Sequence, residues 1–374
     1  MTFKEHDGSL NRNKNLTGRF CYRPFELLEI HKEYYGFVCC PSWLPVIVGN
    51  CNKSGILDTW NSEKSKKIRA SIIDGSFKYC DHKECPKIQG DELPRYENLN
   101  AKWKKIYDSK QTHIEELPSE IALCYDISCN LACPSCRSEK VLDIRGRSYD
   151  EKLAFTNYLI ELVNQSQGQK ESTTLRVTGS GDPIAAPIYF KLLQEIDGTK
   201  LPHLKIILQT NGLLLNAKNW QRLHKIHKNI VAISISIDAA SAETYRKVRR
   251  LGDWDKLMNN LSFISKLKEE FNFNGFCLNF VVQKENYNEM SSFVQMALDL
   301  KNVTEVFFSF VNDWDTWSQK DYQNQCIWKK DHPLFNDFLK TLANPIFDNE
   351  IVIMGNLSEY RKMALTQNFG NINV

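Results

Sequence analysis

From Ile121 to Phe310, apolar runs of strand length alternate with stretches of helical spacing. The strand-like runs are Ile121–Asp126, Thr173–Thr178, Leu204–Thr210, Ile230–Ile237, Phe276–Gln283 and Val303–Phe310. Between them the apolar residues recur every three or four positions, as Leu153, Phe155, Tyr158, Leu159 and Leu162 do in Tyr149–Gln165. Further helices are expected at Ile188–Ile196, Ala217–His227, Ser241–Arg249, Trp254–Glu270 and Tyr287–Leu300. A strand followed by a helix and another strand is the pattern of a parallel sheet covered by helices. Six such units are too few for a closed eight-unit barrel. The pattern therefore predicts an α/β fold, a partial (β/α)6 TIM-like barrel, with its active site at the carboxyl ends of the strands.

The remaining chain divides around this block. Residues 1–95 read as a small cysteine-rich domain, with strand-like Glu26–Ile30 and Phe37–Cys40 and a helix over Leu57–Ile73. Residues 96–119 read as a partly helical linker, 120–312 as the barrel and 313–374 as a C-terminal extension. The formal net charge of +3 gives no footing for nucleic acid or another polyanion. No stretch is apolar and long enough to cross a bilayer, and MTFKEHDGSLNRNKN lacks the apolar centre of a signal peptide. A cytoplasmic location with no membrane partner is expected.

In a reducing compartment, twelve cysteines point to metal or redox chemistry rather than disulfides. Three of them form Cys129-Asn-Leu-Ala-Cys133-Pro-Ser-Cys136, a C-x3-C-x2-C spacing directly after the first barrel strand. Three thiolates on one loop can each hold one iron of a cubane cluster and leave the fourth iron open. An open metal position can take a cofactor, and the amino and carboxylate groups of S-adenosylmethionine (SAM) suit it. A closed zinc site would need a fourth ligand, for which Cys124 is available.

This loop after a first β-strand, opening a β/α barrel, resembles the radical SAM superfamily over roughly residues 120–310. Ser135 stands where that family usually has an aromatic residue beside the adenine. Thr178-Gly-Ser-Gly-Asp-Pro183 resembles the family's Gly-Gly-Glu-Pro motif, with Ser180 and Asp182 in place of the first Gly and the Glu. The resemblance implies that Ser180, Gly181 and Asp182 approach SAM, with Asp182 accepting from its ammonium. Strand alternation puts Ser234, Ser236 and Asp238 on one face, and the resemblance makes Ser236 and Asp238 the ribose partners. It likewise implies that Arg249, or the adjacent Arg250, pairs with the SAM carboxylate. Asn211, in a Thr-Asn-Gly turn similar to the family's, reads equally as a cofactor contact and as a simple turn.

Cys21, Cys39-Cys40 and Cys80-x4-Cys85-Pro86, with Gly36, Gly49-Asn50, Trp60-Asn61 and Arg69, resemble a SPASM or twitch module, which binds an auxiliary iron–sulfur cluster. In the family the module follows the barrel, and here it precedes it. The resemblance implies one auxiliary 4Fe-4S cluster on Cys21, Cys39, Cys80 and Cys85, with Cys40 as the alternative to Cys39; a zinc ribbon on the same four is the competing reading.

The function implied is reductive cleavage of SAM at a 4Fe-4S cluster, giving a 5′-deoxyadenosyl radical that abstracts hydrogen from a substrate C–H bond. The electron would come from a one-electron donor such as flavodoxin or ferredoxin. A peptide or protein substrate is one expectation, and radical modification of a sugar or other small metabolite is another. A non-catalytic iron–sulfur or zinc protein is a third, of a different class. Cys326, after the last barrel strand, is a candidate hydrogen donor, whereas Cys277 falls near a strand start. Asp313, Trp314, Asp315 and Trp317 read as a substrate opening or as a surface loop.

Overall fold

The computed structural model describes residues 14–168, 171–177 and 180–367. The polar start of the chain, and Thr178 and Gly179 of the Gly-rich motif, lie outside the described residues. The chain forms two compact units, one built mainly of residues 1–126 and the other mainly of residues 127–165 and 206–374.

The first unit contains β1 (Leu27–Ile30), β2 (Tyr35–Phe37), β3 (Gly49–Asn50), β4 (Glu120–Leu123) and β5 (Thr173–Val177). Their order is β5-β4-β1-β2-β3. β1 runs antiparallel to β2 but parallel to β4, with Leu27 opposite Glu120 and Ile30 opposite Leu123. The cysteine-rich segment is thus hydrogen-bonded directly to the first barrel strand, and Cys124 N donates to Ile30 O at 2.7 Å to extend the ladder. The expected Leu57–Ile73 helix is two, Ile56–Trp60 and Glu63–Ile73. Ser62 breaks it, because its hydroxyl accepts from Ser65 N and starts the second helix.

The second unit contains β6 (Leu204–Thr210), β7 (Ile230–Ser236), β8 (Gly275–Val282), β9 (Glu305–Phe310) and β10 (Val352–Ile353), all parallel, in the order β10-β9-β8-β7-β6. Burial alternates strictly along β8 and β9. One face is covered, and the other presents half-buried Cys277, Asn279, Phe307 and Ser309. Helices follow the strands at Arg147–Gln165, Pro187–Glu195, Ala217–Gln221, Ala242–Val248, Trp254–Phe271 and Met290–Asp299. The mixed α/β class with parallel strands and helical crossovers, a partial TIM-like barrel, is as the alternation requires.

Two departures have local causes. The expected Ala217–His227 helix ends at Gln221 and continues as a tighter turn over His224–Asn229. There the His227 ring stacks on Trp220 at 4.2 Å and its Nε2 donates to Trp220 O at 2.8 Å. The extension after Val311 is ordered into helices Gln319–Gln325, Phe335–Leu342 and Ser358–Thr366, and β10 joins β9 in parallel.

Candidate iron–sulfur and cofactor site

The cluster loop is tied at both ends. Cys129 N donates to Val141 O at 2.8 Å, Ala132 N to Arg250 O at 3.1 Å, and Cys136 N and Arg137 N both to Cys133 O at 2.9 Å. Cys129 and Cys133 are buried and Cys136 is exposed. Each sulfur faces donors. Leu131 N lies 3.4 Å and Asn211 Nδ2 3.6 Å from Cys129 Sγ. Arg249 Nη1 lies 3.7 Å from Cys133 Sγ, and Arg137 Nη2 3.4 Å from Cys136 Sγ. Amide and guanidinium donors suit a thiolate acceptor, so the donor set fits a thiolate-ligated cluster. Burial pushes the Cys129 thiol up to about 11, with Asp182 reinforcing it, so loading metal there must expel a proton.

The residues expected around the cofactor have distinct roles in the geometry. Asp182 is buried, and its carboxylate is filled from within. Oδ1 accepts from Ile184 N and Ala185 N at 3.0 Å, and Oδ2 from Thr210 Oγ1 at 2.6 Å and Asn211 N at 2.9 Å. A carboxylate has about four lone-pair sites. Asp182 therefore has none to offer an ammonium and instead joins the Gly-rich loop to the end of β6. Its own amide donates to Ser128 O at 2.9 Å, just ahead of the cluster loop. Ser180 Oγ donates to Cys124 O at 2.9 Å. Gly181 is half-buried in the same loop. Asn211 Nδ2 also donates to Asn130 Oδ1 at 2.8 Å, which makes it a cluster-loop brace.

Ser236 ends β7, half-buried and opposite Asn279 of β8. Asp238 sits in left-handed backbone, φ 61°, a conformation Asp tolerates better than most residues. Its Oδ1 accepts from Val281 N at 2.8 Å and its Oδ2 pairs with Arg249 Nη2 at 2.7 Å. Burial opposes the Arg249 charge, yet Asp238 and then Cys133 hold it protonated. The Nε of Arg249 is buried without a hydrogen-bond partner among the described residues. Arg250 is exposed and donates to Ser138 O, whereas Arg249 lies beside Cys133. Arg137 and Asn130 were missed from sequence, although Arg137 directly follows the third cysteine.

In the first unit, burial raises the thiols of Cys21, Cys39, Cys80 and Cys85, with Cys21 pushed up to about 11. Beyond burial, these cysteines act on one another: Cys85 on Cys21, Cys21 and Cys80 on Cys39, and Cys21 and Cys85 on Cys80. Trp43 Nε1 donates to Cys39 Sγ at 3.1 Å. Cys40 responds after burial chiefly to Glu29, and it acts on Cys124. Beyond burial, Cys39 is thus influenced most by Cys21 and Cys80 and less by Cys40, whereas Cys40 is influenced chiefly by Glu29. Among the described residues no three His, Cys, Asp or Glu side chains are gathered for a single metal ion. A cubane distributes its cysteines over separate irons, so its ligands need not share one centre.

Cys326 is buried and its thiol donates to Tyr322 O at 3.2 Å. Cys277 lies on β8 opposite Ser234 and Glu305. Trp314 is exposed, while Trp317 stacks on Tyr322.

Residues 128–297, which contain the cluster loop, the β6 turn, Asp238 and Arg249, match the model of the Radical SAM superfamily. Over this stretch the chain is similar to the radical SAM superfamily. It is 27% identical over 252 residues to molybdenum cofactor biosynthesis protein 1 of Dictyostelium discoideum, covering 62% of this chain and 37% of that protein. It is 27% identical over 230 residues to a GTP 3′,8-cyclase of Lactiplantibacillus plantarum, covering 59% and 61%. The chain thus spans between about a third and three fifths of these curated relatives. The solved structure of native anSMEcpe with bound AdoMet aligns at 20% identity and a TM-score of 0.39, covering 61% of this chain and 59% of that one. Among the described residues no helix is long and apolar enough to cross a membrane.

Proposed function

We propose that this chain is a radical SAM enzyme whose Cys129, Cys133 and Cys136 hold the SAM-binding 4Fe-4S cluster. The observation that carries this reading is the donor directed at every one of the three sulfurs. When bound and reduced by one electron, the cluster supplies the chemistry that splits SAM into methionine and a 5′-deoxyadenosyl radical able to take hydrogen from a substrate C–H bond. The chain's residues hold and shield that event. Asn211 and Asn130 brace the loop, Asp182 fixes the adjoining turn, and Ser236 offers a hydroxyl at the end of β7 for the ribose. Arg249 has its Nη2 committed to Asp238, which leaves the buried Nε as its donor for the SAM carboxylate. Cys21, Cys39, Cys80 and Cys85 are our ligands for an auxiliary 4Fe-4S cluster, supported by their mutual electrostatic effects. A flavodoxin- or ferredoxin-type donor fits the electron requirement.

For the substrate, the curated relatives include proteins named for acting on GTP, which favours a small metabolite over a peptide. The test is anaerobic: reconstitution with iron and sulfide, then dithionite and SAM, with 5′-deoxyadenosine quantified by mass spectrometry. Product from the wild type and none from a Cys129/Cys133/Cys136→Ala variant is the expected result. A reducible cluster that gives no product and no SAM-induced change in its EPR signal would overturn the assignment.

A further inference from the structure

The three cluster cysteines are unequally protected: Cys129 and Cys133 are buried, whereas Cys136 is exposed. The exposed ligand is the one that a cation flanks in sequence. Arg137 places Nη2 3.4 Å from Cys136 Sγ while Nη1 donates to Ile127 O. That anchor is rigid, because the next residue, Ser128, accepts from Asp182 N through its carbonyl and from Asp143 N through its hydroxyl, both at 2.9 Å. The guanidinium is therefore strapped across the mouth of the loop, from its first turn to its last ligand.

We propose that Arg137 is a positioning residue that clamps Cys136 onto the cluster and makes the cluster easier to reduce. Reduction adds one negative charge to an already anionic group, and a fixed cation beside a ligand sulfur favours the more negative state. The same strap restrains the one ligand that water and chelators reach from solvent. Fork geometry matters, because one arm holds Ile127 and the other faces the sulfur; lysine keeps the charge but not the second arm. The inference rests on the cluster assignment above, and the experiment separates their failures.

Wild type, Arg137→Gln and Arg137→Lys are reconstituted anaerobically, and the SAM-responsive EPR signal is followed in a redox titration in the absence of substrate. At the wild-type midpoint, Arg137→Gln should show at least tenfold less reduced relative to oxidised cluster, a shift of about 59 mV for one electron. Arg137→Lys should recover most of that shift. Iron should leave Arg137→Gln several-fold faster than wild type under a chelator, with Arg137→Lys between them. Coincident midpoints for wild type and Arg137→Gln would overturn the proposal and leave the cluster assignment standing. Should Arg137→Gln hold no iron, Arg137→Lys decides: iron bound at the wild-type midpoint supports the cation, and loss equal to Gln overturns it. Absence of any SAM-responsive cluster in the wild type would instead defeat the assignment beneath it.

Discussion

The carboxylate of Asp182 accepts from three backbone amides and one hydroxyl, all inside the protein. Its place beside the cofactor loop was legible from the Gly-Ser-Gly-Asp-Pro pattern, but its partners were not. Two of them, Thr210 and Asn211, arrive from a strand end 28 and 29 residues away. Asp182→Asn turns one acceptor oxygen into a donor that faces donors. Hydrogen bonds to a charged group contribute about 1.5–3 kcal/mol each, and a buried unsatisfied donor costs a further 1–3. We expect a loss of about 3 kcal/mol in anaerobic urea unfolding of the metal-free protein. A loss below about 1 kcal/mol would show that the carboxylate is free for another partner. The Arg249–Asp238 pair teaches the same lesson. Both residues were read from sequence as cofactor contacts, and the fold first pairs them with each other, which leaves a single nitrogen, Nε, over.

At the scale of elements, strands were more legible than helix breaks. β6 matches the expected Leu204–Thr210 because Asn211-Gly212 forces the chain to turn. Gly212 has φ 78°, and a Cβ there would meet Leu257 and Ile235 at 3.0 and 3.1 Å. The interruption at Ser62 is a local N-cap signal that the apolar spacing of Leu57–Ile73 overrode, and Arg69 then fixes it in place. Arg69 is fully buried and donates to Pro24 O, Trp60 O, Thr112 O and Asn61 Oδ1, with its guanidinium 4.1 Å from the Trp60 ring. One side chain thus joins the segment after Cys21, the Ile56–Trp60 helix, its own helix and the loop leading to β4. Three of its acceptors are backbone carbonyls that no single-point donor can serve together. Arg69→Lys should therefore lower unfolding stability by about 2–4 kcal/mol in the same urea assay. If lysine matched arginine within about 0.5 kcal/mol, the fork would not be what holds these segments.

Across the molecule, the two proposed ligand sets take seven of the twelve cysteines. The loop spacing revealed the first set because its ligands lie within eight consecutive residues. The second is spread from Cys21 to Cys85, so its spacing alone leaves Cys39 and Cys40 as alternatives. Cys40 is influenced after burial chiefly by Glu29 and acts on Cys124, whereas Cys39 is influenced after burial first by Cys21 and Cys80. If both proposed cubanes load, the chain carries about eight irons. Replacing Cys129, Cys133 and Cys136 together by alanine should leave about four irons, oxidised and reduced without response to SAM. Replacing Cys39 and Cys80 should leave about four irons that do respond, whereas Cys40→Ala should retain the full complement. Iron and zinc are measured by elemental analysis after anaerobic reconstitution. Zinc in place of iron in the triple-alanine variant would turn the first unit into a zinc ribbon. Loss of half the iron in Cys40→Ala would move the fourth ligand from Cys39 to its neighbour. Because burial raises the thiols of Cys21, Cys39, Cys80, Cys85, Cys129 and Cys133, each of these that binds must release a proton. Loading of both sites should therefore rise as pH is raised from 7 toward 9, most steeply where Cys21 and Cys129, each pushed up to about 11, have to ionise.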